Sequence, residues 1–110
     1  MSALSDRIVM IAALLALLAL VDGSALAAGR AGQGKTIAQR WCATCHQVSP
    51  EQTTVNADVP SFMTVAQMRA TPGDLAALEG FLADPHPVMP DMSLTRQEIR
   101  DLVAYIGSLN

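Results

Sequence analysis

Six consecutive residues hold the most pointed chemistry in this sequence: Trp41-Cys42-Ala43-Thr44-Cys45-His46. Cys-x-x-Cys-His is the attachment pattern of a c-type haem. Two thiols three positions apart can each add across one of the two vinyl groups of the porphyrin, forming thioether bonds. The next residue then brings an imidazole nitrogen beneath the macrocycle as the first axial ligand to iron. On this reading Cys42 and Cys45 are covalent tethers and His46 is the proximal ligand. The rest of the chain must then supply a second axial ligand and an apolar crevice.

Two other chemistries use Cys-x-x-Cys: a dithiol redox centre and half of a zinc site. Structural zinc usually takes four Cys or His ligands. The chain has two cysteines and two histidines in all, and the second histidine, His86, stands far downstream between Pro85 and Pro87. A dithiol site of the thioredoxin type belongs in an α/β chain with strand-like runs, and this sequence shows none. The haem reading is the stronger, with the dithiol as its alternative.

The elements that must position these residues begin with a leader. Met1 to Arg7 is short and polar with one arginine, Ile8 to Val21 is unbroken apolar, and Ala25-Leu26-Ala27-Ala28 follows the break at Asp22-Gly23-Ser24. A basic start, an apolar run and an Ala-x-Ala site describe a secretory signal peptide over residues 1–27, cleaved after Ala27. The alternative is an uncleaved membrane anchor, but a spanning helix needs about 20 apolar residues and this run is shorter. Export agrees with the haem reading. In an oxidising compartment two free cysteines tend to pair, unless haem takes both.

The overall hydrophobic content of 51% is inflated by the leader. Residues 28–110 make one small domain, a size at which an apolar core is marginal without a metal or a staple. A buried porphyrin would fill that role, so the haem-free chain is expected to fold poorly. The formal net charge of −3 leaves no basic stripe for nucleic acid.

Lys35 to Cys45 reads as a helix after a Gly-rich lead-in at 30–34, with Ile37, Ala38, Trp41, Cys42 and Cys45 on one face. Trp41 is placed to pack on the porphyrin edge or simply to be core. Residues 47–59 are turn-forming and polar. An apolar stretch then runs from Val59 through Met68. Here the carbonyl of Pro60 is a candidate acceptor for the second ring nitrogen of His46, and Phe62 is a candidate lining residue. Thr71-Pro72-Gly73-Asp74 starts a second helix, Thr71 as cap and Pro72 in the first turn. Leu75, Leu78, Phe81 and Leu82 form its apolar face.

Asp84 to Met92 holds three prolines in six positions, which excludes a helix and favours a stiff extended strap. Such a strap suits a second axial ligand, and the candidates are Met89, Met92 and His86. Met63 and Met68 are expected as ordinary core filling. Thr95-Arg96-Gln97-Glu98 is a capping box opening the last helix, whose stripe is Ile99, Leu102, Val103, Ile106 and Leu109 with Tyr105 beside it. Three main helices and no strand signal make an all-α fold.

With Cys42-x-x-Cys45-His46, Val88-Met89-Pro90 and the capped terminal helix in view, the chain resembles the small class I cytochromes c from about Gly34 to Leu109. The resemblance implies a small fold of about three helices wrapped round one covalent haem c and its iron. It implies that the first and last helices cross near the haem edge, here Gly34 and Ala38 against Leu102 and Tyr105. It favours Met89 over Met92 as the axial methionine and Pro60 as the support of His46. His/Met ligation would raise the haem potential relative to a second imidazole.

The function this implies is a periplasmic one-electron carrier, not an enzyme, monomeric, docking transiently with a dehydrogenase donor and an oxidase or reductase acceptor. It would touch membrane only through the leader if that were retained. The alternatives are a haem c subunit of a larger periplasmic oxidoreductase, or a haem enzyme or sensor with a labile sixth ligand. No distal catalytic apparatus is visible opposite His46.

Overall fold

In a computed structural model of the chain, residues 2–27 and 29–110 are described, and Ala28, beside the expected cleavage site, lies outside them. The order of elements is α1 Ser2–Ala27, α2 Ala31–Trp41, α3 Phe62–Met68, α4 Pro72–Ala83 and α5 Arg96–Gly107. No strand occurs among the described residues, which is the all-α architecture expected.

On α1, Leu4, Ile8, Met10, Ile11 and Leu15 are all exposed. A helix apolar on every side has no core-facing stripe. The globular fold begins at Gly29, whose φ of +70° turns the chain onto α5. A Cβ at this position would meet the backbone carbonyl of Arg100, so both the conformation and the close approach require glycine.

Helix α2 starts four residues earlier than the sequence pattern indicates and ends four earlier. The Gly-rich lead-in is helical because Gly34 is where α2 meets α5. A Cβ on Gly34 would overlap the Asp101 carbonyl oxygen and crowd the Tyr105 side chain. Ala38, fully buried, continues the contact one turn on. The crossing expected of Gly34 and Ala38 against Leu102 and Tyr105 is therefore present. Past Trp41 the regular helical ladder breaks: the carbonyl of Ala38 accepts from both Cys42 and Ala43, and that of Cys42 accepts from Cys45 and His46. The cysteines thus lie on a turn and not on the helix itself.

Helix α5 is the spine of the domain, with α2, α3 and α4 all packed against it. Its capping box is complete, the Thr95 hydroxyl accepting from the Glu98 N–H while the Glu98 carboxylate takes the Thr95 N–H. Ile99, Leu102, Val103 and Ile106 are buried as the stripe predicts. Each such side chain contributes about 1.5–3 kcal/mol by leaving water. Tyr105 is buried rather than flanking, and its hydroxyl donates to the Val48 carbonyl at 2.7 Å.

Asp101 is also buried. Burial acts to raise its pKa, but hydrogen bonds from the Gln97 amide and the Arg30 N–H, with the Arg30 guanidinium at 3.3 Å, outweigh that and hold it below the ordinary carboxylate value. This pairing fastens the start of α2 to α5.

Two further elements depart from expectation. The apolar stretch after Pro60 is a short fourth helix, α3, capped by the Ser61 hydroxyl accepting from the Thr64 N–H at 3.1 Å. Met68 on it is 70% exposed and is not core filling. The second departure is in the strap, which is not fully extended, because the Met89 N–H donates to the His86 carbonyl at 2.9 Å. Pro87, second residue of that turn, has the φ such turns favour. Helix α4 begins at the Thr71 cap as expected, the hydroxyl accepting from the Asp74 N–H.

Two glycines on α2 are predicted to respond in opposite directions. Gly34→Ala should cost about 1–3 kcal/mol by forcing α2 off α5. Gly32→Ala, where a Cβ meets nothing within 4 Å, should gain up to about 1 kcal/mol of helix propensity. Denaturant unfolding of the two holoproteins checks both, and equal effects would contradict the close crossing.

Candidate functional site

The turn after α2 and the strap after α4 meet at one apolar cavity of about 360 Å³. Trp41, Cys42, Cys45, His46, Pro60, Phe62 and Met89 all line it. The structure therefore brings together every residue that the sequence singled out for the site. Met92 and His86 line it too, whereas Met63 and Met68 do not.

The Nδ1 of His46 lies 2.7 Å from the Pro60 carbonyl oxygen. A carbonyl can only accept, so Nδ1 carries the proton and Nε2 is the nitrogen left for a metal. Pro60 is held in place in turn: two residues on, the Phe62 N–H donates to the Gln47 carbonyl at 2.9 Å. The Phe62 ring, buried, stands 5.5 Å from the imidazole centroid at a tilt of 50°. The ring is thus fixed in tautomer by the carbonyl and flanked by Phe62.

The two thiols differ. Cys42 is buried, and burial, with Cys45 nearby, pushes its pKa up to about 11. Cys45 is exposed. Trp41 is 47% exposed, so it belongs to the cavity rim and not to the core, with the Arg40 guanidinium 4.9 Å from its ring centroid.

Sequence reading missed Gln52, which ties this turn together. Its side-chain amide donates to the carbonyls of His46 at 3.0 Å, Thr54 at 3.1 Å and Ala43 at 3.3 Å, and its carbonyl accepts the Val48 N–H at 3.0 Å. An amide group has two hydrogens, so one of them is shared. A glutamine in a polar loop gives no sign of this in sequence. The far walls, Val65, Leu78, Leu82 and Ile106, come from three different helices. Their apolar periodicity was legible, but not their convergence.

The donor set fits a covalently held haem: two thiols three positions apart, an imidazole with its outer nitrogen occupied, and thioethers, all on an apolar cavity with Asp58 as the one charged carboxylate among its lining residues. It does not fit zinc, since no three Cys, His, Asp or Glu side chains converge as a metal site among the described residues.

Comparison with known proteins agrees. Residues 31–110 match the cytochrome c family. The chain is also 50% identical over 88 residues to cytochrome c-552 of Bradyrhizobium diazoefficiens, a match spanning 80% of this chain and 82% of that protein. None of the solved structures matches. The chain belongs to the class I cytochrome c family, and its cofactor is covalently bound haem c with its iron. Membership makes it a haem c electron carrier.

Removal of the Gln52 amide tests its part in the site. Gln52→Ala leaves two carbonyls of the Cys42–His46 turn without that donor and should cost about 1–3 kcal/mol in holoprotein stability. Gln52→Glu keeps an acceptor for Val48 but loses the donors, and should fall at least part of the way. Unfolding midpoints unchanged in both would remove Gln52 from this role.

Proposed function

We propose that this protein is a periplasmic one-electron carrier whose haem c is tethered through Cys42 and Cys45 and ligated by His46 and Met89. The observation that carries the reading is the held imidazole: His46, with Nδ1 bonded to Pro60 at 2.7 Å, shares one apolar cavity with both thiols and with Met89. Haem c supplies the chemistry, a single electron exchanged as iron cycles between its ferric and ferrous states.

The chain's own residues do the rest. Pro60 orients His46 and makes it a better donor. Phe62, Val65 and Ile106 keep water from the crevice. Met89 packs against the buried core and has its N–H held by His86, which supports it over Met92 as the sixth ligand. Side chains held in this way would move little between the two oxidation states of a bound haem. The Met89 thioether would favour the ferrous state of a bound haem and raise its potential.

The periplasmic part of the reading rests on the leader: a basic start, an apolar run and Ala25-x-Ala27 ahead of Gly29, which meets α5. The partners are a dehydrogenase on the donor side and an oxidase or reductase on the acceptor side, met by a monomer through a small, transient interface. The named relative, a cytochrome, supports the carrier class.

Holoprotein made in a periplasm able to attach haem should show, when oxidised, the weak near-infrared band of methionine bound to ferric iron. Met89→Ala should lose that band and Met92→Ala should keep it. The reverse pattern would move the ligand to Met92, and no band in the parent protein would exclude methionine altogether.

A further inference from the structure

Around the cavity mouth the surface is both apolar and acidic. Trp41 is 47% exposed, Phe81 37% and Val88 90%, and all three line the same cavity. Exposed apolar side chains gathered at one opening mark a contact surface. Asp58 lines the opening itself. Asp84 and Asp91 are exposed and stand at either end of the strap, Asp84 two residues before His86 and Asp91 between Pro90 and Met92.

Among the described residues no lysine or arginine lines the cavity. The single lysine, Lys35, is on α2, and Arg30 is engaged by the buried Asp101. Arg96 and Arg100 belong to α5, and Arg69 follows α3. Arg40 alone stands beside the exposed apolar patch, and it lies over the Trp41 ring.

We propose that this mouth is a docking face for a positively charged protein partner, with Trp41, Phe81 and Val88 as the apolar contact and Asp58, Asp84 and Asp91 as the charge complement. The proposal rests on the electron-carrier reading above and adds to it the sign of the partner. A rim with three carboxylates to one guanidinium steers a positively charged partner to the opening through which electrons pass, and the attraction weakens as salt screens it. The exposed apolar side chains then give a short-range contact that salt does not weaken.

The test uses small redox reagents of either sign on the ferrous holoprotein in a stopped-flow instrument: cationic tris(phenanthroline)cobalt(III) and anionic hexacyanoferrate(III). Between about 10 mM and about 100 mM ionic strength the screening length falls from about 30 Å to about 10 Å. The rate with the cobalt reagent should fall about threefold or more over that range, and the rate with hexacyanoferrate should rise.

A variant combining Asp58→Asn, Asp84→Asn and Asp91→Asn should flatten both dependences, whereas Glu51→Gln, outside the cavity lining, should leave them nearly as they were. All four positions are exposed, and asparagine at 91 keeps the acceptor that takes the Ser93 N–H. A cobalt rate that ignores salt, or a rim variant indistinguishable from the parent protein, would overturn the proposal. Should neither reagent oxidise the haem at all, the electron-carrier reading itself would fall and take the proposal with it.

Discussion

The hydrogen bond from His46 Nδ1 to the Pro60 carbonyl is the constraint around which the domain is arranged. To make it, the chain must leave the Cys42–His46 turn, run out through residues 47–59 and come back beneath the imidazole. Each step of that return is fastened. Gln52 gathers the carbonyls of the turn and the N–H of Val48, and Tyr105 ties the Val48 carbonyl to α5. The Phe62 N–H closes the loop on Gln47, and Ser61 starts α3 at once. A loop with no regular structure is thereby tied to α5 at Val48 and closed on itself at Gln47 and Phe62.

This arrangement needs a rigid frame, which the crossing of α2 and α5 provides. Gly34 lets the two backbones approach, and Asp101 pins the first residues of the domain through Arg30. The frame sets where α2 ends, hence where the cysteine turn lies, while α5 contributes Ile106 to the cavity wall. Stability and function therefore draw on the same contacts. The apolar walls of the cavity are the part of the core that the protein leaves for its cofactor, which is why a domain this small suffices.

Much of this was legible in sequence because it depends on local chemistry. The Cys-x-x-Cys-His pattern, the Thr71 and Thr95 caps, and the α5 stripe each follow from short-range rules, whereas the preference for Met89 over Met92 came from the family resemblance. What escaped depends on contacts between distant residues. Gly34 was expected at the helix crossing, but nothing local indicates that the atom it meets there is the Asp101 carbonyl, which lies on another helix. Nothing in the sequence marks Asp101 as buried, since its partner Arg30 stands 71 residues away. Gln52 had nothing to distinguish it from any polar loop residue. Met68 was misjudged because α3, as a short helix, turns that side chain outward.

The central claim is that Cys42 and Cys45 together hold one haem covalently. Intact-mass measurement of the denatured, purified protein, with thiol alkylation beforehand, tests it most directly. The account predicts the processed chain plus the mass of one haem, with neither cysteine alkylated. A chain at its bare mass carrying two alkyl groups, with haem absent or extracted by acidified solvent, would contradict it.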